Sequence, residues 1–370
     1  MFKEIWKLKK LLSLLMSALV ISSAAIMVTG CNSENGNNNG SNTEKQEINV
    51  FNWGEYVSNG EDGTLDTIKS FEEKYNIKVN YTNYESNEEM YNLIKESNSS
   101  YDVIIPSDYM IAKLIEEDML EKIDFSNIPN YNNVMEKYKK NDFDPKGEYS
   151  VPYCWGVVAL AYNKNMVKEK PDSFSVLWDK QYSGNILMFD NSRDAMAIAM
   201  RLKGITPTKI TKDDIDIASA YLKEQRPLLK KYVMDQVFTE MEGDQAALAP
   251  YYAGDIATMM GNNENLDYVL PKEGSNLFID AMCIPKTTKN KALAEKFIDY
   301  MLDPEVAKAN AEYLGYSTPN QAAYDLLDDD IKNNKLIYPD EEYLKKCYTF
   351  SNLPTDVYNY MQDEFLKAKV

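Results

Sequence analysis

The spacing of apolar residues changes period repeatedly between Ile48 and Leu120. Ile48, Val50 and Phe51 form an alternating run that predicts a strand. Leu65, Ile68, Phe71 and Tyr75 then share one helical face, with Thr64 as the expected cap. Ile77, Val79 and Tyr81 alternate again as a strand. Ser86 and Glu89 have capping-box spacing and open a helix through Met90, Leu93 and Ile94. Val103-Ile104-Ile105-Pro106 reads as a buried strand, and Ser107-Asp108-Tyr109 leads from it into a helix through Leu114. Strand and helix alternating three times predict an α/β fold, with a mainly parallel sheet flanked by helices.

Ser150 to Asn163 is one long apolar strand pattern, as expected of a segment crossing from one lobe to another. Asn185–Phe189 is the next strand, and Asp190-Asn191-Ser192-Arg193-Asp194 leads from it into a helix through Met200, with Asp194 in the first turn. The stretch ending at Tyr251-Tyr252 fits either strand or helix. Tyr268–Leu270, a turn at Pro271–Gly274 and a return strand at Asn276–Ile284 follow. Helices are expected over Ala292–Leu302 and Pro304–Tyr313, the second ended by Gly315. Further helices run to Lys369.

Ligands of open α/β sheets bind at the carboxyl ends of strands. Trp53, Gly54, Glu55 and Tyr56 fall at one such end, and Ser107 and Tyr109 at another. Aromatic faces attract a cation and a carboxylate neutralises it. Taken alone, Asn52–Tyr56 reads better as a core Trp beside a solvated Glu. Asp194 could serve only the helix dipole. Asp280 interrupts an apolar strand, so it either pairs with a cation or is satisfied by backbone amides.

The 370 residues suit two lobes better than one core. The chain has no His, which removes Ser-His-Asp and Cys-His catalysis and the commonest zinc ligands. Its net charge of −18 argues against nucleic acid and favours approach of a cation. No P-loop, Gly-rich nucleotide fingerprint or internal repeat is present. Lys3, Lys7, Lys9 and Lys10 precede an apolar stretch, Leu11–Val28, and then Thr29-Gly30-Cys31. That order reads as a secretory leader, with residues 1–30 removed. Residues 31–46, rich in Asn, Gly and Ser, read as a flexible tether. Cys154, Cys283 and Cys347 match no metal or redox spacing and are expected to be free thiols.

Six stretches in order resemble one family. They are Asn-Trp-Gly-Glu-Tyr (52–56), Tyr-Glu-Ser-Asn-Glu (84–88), Val-Ile-Ile-Pro-Ser (103–107), Tyr-Ser-Val-Pro-Tyr-Cys-Trp-Gly (149–156), Pro-Lys-Glu-Gly-Ser-Asn-Leu-Phe-Ile-Asp (271–280) and Gly-Tyr-Ser-Thr-Pro-Asn (315–320). From about Glu47 onward the chain resembles the spermidine/putrescine-binding proteins of bacterial ABC transporters. Thr-Gly-Cys31 resembles the lipobox of bacterial lipoproteins, which implies a lipid anchor on Cys31 at the outer face of the membrane.

The family resemblance implies a type II periplasmic-binding-protein-like fold. Residues 47–155 and 280–324 would form one lobe, and 156–279 and 325–370 the other, with crossings near Trp155 and Asp280. By position it implies a ligand site of Trp53, Gly54, Glu55, Tyr56, Ser107, Tyr109, Asn191, Asp194, Tyr252, Phe278, Asp280 and Tyr316. Asn191 stands where the family can have an acid, so one acid is missing unless Asp190 substitutes. Tyr252 and Phe278 stand where Trp can occur. Near Phe350 no contact can be assigned. The resemblance further implies a monomer that is not an enzyme and has no cofactor or metal, with a polyamine ligand and the permease of an ABC transporter as partners.

The residues agree with that ligand. Aromatic walls suit methylenes and spaced carboxylates suit protonated nitrogens, which Glu55, Asp194 and Asp280 could provide. Three other readings remain open at this level. A glycoside hydrolase needs two carboxylates in an aromatic cleft, a ferric-ion-binding lipoprotein would use clustered tyrosinates among the 27 Tyr, and a sugar-binding lipoprotein would share the fold and the aromatics.

Overall fold

The structure is a computed structural model that describes residues 46–54, 56–96 and 100–370. Glu55 lies outside the described residues, as do the leader, Cys31 and the tether. The described strands are β1 (Glu47–Trp53), β2 (Lys78–Tyr84), β3 (Val103–Ile104), β4 (Ser150–Asn163), β5 (Ile186–Phe189), β6 (Leu229–Val233), β7 (Leu248–Tyr252), β8 (Leu266–Val269) and β9 (Leu277–Cys283). They join in the order β2-β1-β3-β9-β4-β7-β5-β6, with β8 also on β4. At the two outer ends the pairing is parallel: β1 with β2 and β3, β5 with β6 and β7. Pairs involving the long strands β4 and β9 are antiparallel.

β4 is buried along its whole length, which explains its continuous apolar pattern. Tyr153, Cys154 and Trp155 belong to one hydrophobic core, while Val157 to Tyr162 belong to another. The first core also takes β1 and most of β9, and the second takes β5, β7 and the C-terminal helix Thr355–Lys369 through Met361 and Phe365. β9 runs alongside β4 where the cores meet, placing Cys154 opposite Asp280 and Gly156 opposite Phe278. Ser317 adds a third segment there, exchanging backbone hydrogen bonds with Trp155 at 3.0 and 3.1 Å.

Several local expectations change at their edges. The first helix is Thr67–Tyr75, capped by Asp66 rather than Thr64: the Asp66 carboxylate accepts from Lys69 N at 2.9 Å. The Thr64 hydroxyl instead donates to Glu61 O. Ser86 caps the helix Asn87–Glu96 by accepting from Glu89 N, but the Glu89 carboxylate returns to Glu85 N rather than to Ser86 N. Tyr251-Tyr252 ends a strand, β7, from which the helix Ala253–Asn262 starts directly. Strand β6 and the helix Lys212–Gln225 have no counterpart in the sequence reading. Gly315 ends the helix Pro304–Leu314 in the left-handed region, at φ 69°, as expected. Cys154 and Cys283 are buried free thiols, and Cys347 is free and half-buried.

Candidate functional site

Strand ends from both cores converge on the seam between β4 and β9. Trp53 closes β1, where its indole N–H donates to Ile105 O at 2.9 Å and its ring packs on Tyr84 with centroids 4.6 Å apart. The Tyr84 hydroxyl donates to the same carbonyl at 2.7 Å, so two rings are oriented by one acceptor. Tyr56 follows the turn and is held through its own carbonyl, which accepts from the Tyr153 hydroxyl at 2.7 Å. Its phenol donates to Asp280 Oδ2 at 2.5 Å and lies 3.1 Å from Cys154 Sγ.

Two more tyrosines repeat that arrangement. Tyr252, at the end of β7, donates to Asp194 Oδ2 at 2.9 Å, and Tyr316 donates to Asp255 Oδ2 at 3.1 Å. The rings form one chain: Tyr56 to Tyr316 at 6.3 Å, Tyr316 to Phe278 at 5.6 Å edge-on, and Phe278 to Tyr252 at 5.6 Å edge-on. Two glycines make room for it. A Cβ on Gly156 would stand 2.7 Å from the Phe278 ring, and one on Gly254 would stand 2.7 Å from the Tyr316 ring. An apolar wall thus carries three Tyr–Asp pairs along its length.

The carboxyl groups are poorly solvated. Asp194 and Asp280 are each 4 % exposed, and each keeps one buried oxygen, Oδ1, without a hydrogen-bond partner among the described residues. Burial pushes Asp280 up to about 6, against hydrogen bonds from Tyr56 and Ser107 that favour its charged form. Burial likewise raises Asp194 to about 6, opposed by Tyr252, Arg193 and Asn276. Asp255 rises to about 7 for the same first reason, with Tyr316 opposing. At Asp194 and Asp280 the tyrosine hydroxyl engages Oδ2 and Oδ1 is left to accept, a geometry suited to protonated amines.

The remaining sequence candidates fall nearby in different roles. Ser107 stands at the start of the helix Asp108–Glu116, makes no side-chain cap and bridges backbone to backbone with Asp280. Tyr109 accepts from Asn87, donates to Glu88 at 3.2 Å, and carries the Arg193 guanidinium over its ring at 3.8 Å. Asn191 caps the helix Ser192–Leu202, its carbonyl oxygen accepting from Arg193 N and Asp194 N. Asp190 does not substitute for an acid there, because it is exposed and paired with Lys369. Gly54 is exposed, with open space where a Cβ would point.

Sequence reasoning missed Asp108, Asp255 and Arg193. Asp255 lies in a helix adjoining the stretch whose type was ambiguous, so no periodicity marked its direction. Asp108 sits between the two candidates Ser107 and Tyr109. Arg193 lies between Asn191 and Asp194, 8 % exposed, donating to Ser351 O at 3.3 Å. Its ring contacts extend to Phe350 and Tyr358, which brings the Phe350 region to the edge of the cleft. Asn352 donates to Glu116 at 2.6 Å and Tyr358 to Glu88 at 3.4 Å. The two sides of the cleft therefore meet directly.

Comparison with known proteins gives a consistent result. Residues 66–339 match the family described as bacterial extracellular solute-binding protein. The chain is 35% identical over 297 residues to the spermidine/putrescine-binding periplasmic protein of Escherichia coli (strain K12), covering 80% of this chain and 84% of that one. It is 27% identical over 345 residues to the putrescine-binding periplasmic protein SpuD of Pseudomonas aeruginosa (strain UCBPP-PA14), covering 88% and 92%. Among solved structures, a putative spermidine/putrescine ABC transporter protein of Listeria monocytogenes superposes with a TM-score of 0.82 at 36% identity, covering 88% of this chain and 99% of that one. The spermidine/putrescine ABC transporter substrate-binding protein PotD of Streptococcus pneumoniae gives 0.78 at 35%, covering 88% and 98%. The fold is thus that of the two-lobed type II binding proteins.

The raised carboxyl groups set a pH dependence. An acid whose pKa rises on folding holds its proton more tightly in the native chain than in the unfolded one. Its contribution to stability is fullest below its unfolded pKa, about 4, and is lost as pH rises through the folded value. For Asp280 that window runs from about 4 to about 6. Ligand-free protein should therefore lose stability relative to Asp280→Asn as pH is raised from about 4 to about 8, by up to about 3 kcal/mol. Urea midpoints of both proteins across that range test this, and parallel curves would refute it.

Proposed function

This chain belongs to the family of bacterial extracellular solute-binding proteins, and we propose that it captures a polyamine, spermidine or putrescine, outside the membrane for an ABC transporter. The observation that carries this reading is the row of Tyr–Asp pairs along one aromatic chain, with unpartnered buried oxygens on Asp280 and Asp194. A polyamine is a methylene chain with protonated nitrogens. Rings cover the methylenes and carboxylates receive the nitrogens. A sugar would leave such oxygens facing hydroxyls, with no charge to offset their desolvation. A ferric site would need tyrosinates. Burial and the adjacent aspartates hold Tyr56, Tyr252 and Tyr316 well above the ordinary phenol range.

In this reading Trp53, Tyr56, Ser107, Tyr109 and Asp280 hold the ligand from the first lobe with Gly54 and Glu55. Asn191, Asp194 and Tyr252 hold it from the second, while Phe278 and Tyr316 form the wall between them. Tyr56 and Ser107 orient Asp280, and Tyr252 orients Asp194, so the charges are fixed before the ligand arrives. A neutral or protonated carboxyl gives up its proton as an ammonium enters, and the pair that forms is shielded from water. The net charge of −18 speeds the encounter. The protein acts as a lipid-anchored monomer at the outer face of the membrane, held through Cys31 by the tether.

Asp280→Asn should weaken polyamine binding by ~2–5 kcal/mol, the range for truncating one partner of a buried charge pair. Titration calorimetry measures it, and unchanged affinity would return Asp280 to a structural role. A ligand that touches both lobes stabilises the closed form through its added contacts. Small-angle scattering should therefore report a smaller radius of gyration with saturating spermidine than without. An equal radius in a sample shown to bind would mean that closure is not the signal. For the anchor, the intact mass of the membrane-bound protein should equal residues 31–370 plus a diacylglyceryl group and any further acyl chain. A chain beginning at Met1 would exclude it.

A further inference from the structure

Asp108 occupies the first turn of the helix Asp108–Glu116 and is 1 % exposed. Its Oδ1 accepts from the backbone N–H of Tyr109 at 2.6 Å. Its Oδ2 is buried and has no hydrogen-bond partner among the described residues. An oxygen so placed carries a desolvation cost that a hydrogen bond would offset. The residue before it, Ser107, bridges to Asp280 across the sheet end, so the two carboxyl groups stand at the same corner of the cleft. Asp280 has the same arrangement, with Oδ2 held by Tyr56 and Oδ1 unpartnered.

We infer that Asp108 is a further amine-binding carboxylate of this cleft, which shares a terminal primary ammonium with Asp280. This rests on the polyamine reading above. A primary ammonium has three N–H donors, more than one carboxylate oxygen can receive, and two acceptors from different segments orient it better than one. A secondary ammonium has only two donors and a methylene on either side, so it fits a single carboxylate such as Asp194. The second acid at this corner compensates for the side chain at Asn191, which carries no charge and caps its helix.

Asp280 opposes the ionisation of Asp108, while the backbone N–H of Tyr109, the Arg193 charge and the nearby backbone N–H of Ile279 favour it. Arg193 itself is engaged by Ser351 O and the Tyr109 ring. Burial dominates and raises Asp108 to about 8. It therefore binds a proton in the ligand-free protein at neutral pH, and an arriving ammonium displaces that proton.

The test is Asp108→Asn, which keeps the shape and the acceptor toward Tyr109 N. Calorimetry at pH 7 in two buffers of different ionisation enthalpy yields affinity and protons released together. Wild type should release protons on binding spermidine or putrescine. Asp108→Asn should release about one fewer and bind both ligands about tenfold or more weaker, since both carry primary ammonium ends. Unchanged affinity and unchanged proton release would make Asp108 a helix-start residue only and overturn the inference. A loss confined to spermidine would overturn its assignment to the terminal nitrogen. Absence of polyamine binding by wild type would instead overturn the underlying reading. Circular dichroism of the variant with a wild-type melting profile excludes misfolding as the cause of any loss.

Discussion

The cost of removing carboxylates from water governs this cleft. Asp108, Asp194 and Asp280 are nearly inaccessible, and none is in an ion pair among the described residues. Burial is the largest influence on each, and each titrates above the ordinary carboxylate range as a result. Apolar packing alone would favour Asn or Leu at these positions. In the proposed reading a cation completes these carboxylates, and the surrounding hydrogen bonds hold them in place.

That placement depends on tyrosine. A phenol supplies a ring for methylenes and a hydroxyl for a carboxylate, so one residue builds both surfaces the ligand needs. Tyr56, Tyr252 and Tyr316 all work in this way, and the glycines at 156 and 254 let their wall close tightly. The same hydrogen bonds restrain the carboxylates from swinging to water, which keeps their second oxygens directed inward. Where other chains could use Trp, Tyr252 adds a donor to Asp194 and gives up some cation–π strength.

Contacts between the lobes give closure a second component. Arg193 over Tyr109, Tyr358 on Glu88 and Asn352 on Glu116 join surfaces that must separate for a ligand to enter. The Asn352 and Tyr358 contacts are polar and partly exposed, so each adds little. In the proposed closure the ligand's charges supply the rest. At the seam β4 contributes buried residues to both cores, while β9 pairs along it from the first.

Local pattern alone determined much of this protein. Alternation placed β1 and β2, an unbroken apolar run placed the long buried β4, and the helical stripe through Phe71 placed the first helix. The strand-end position of Trp53, Tyr56, Ser107 and Tyr109, and an Asp inside the apolar run of β9, pointed to a shared cleft, while leaving open whether Asp280 met a cation or backbone amides. Pattern could not separate Thr64 from Asp66 as a cap, since both side chains can accept and only the backbone path selects between them. Nor could it reject Asp190, whose partner Lys369 lies 179 residues away along the chain. Asp108, Asp255, Arg193, Gly156 and Gly254 acquire their roles solely from what folding brings against them. Spacing along the chain records secondary structure, but desolvation and pairing depend on three-dimensional neighbours, and only the tertiary structure decides those.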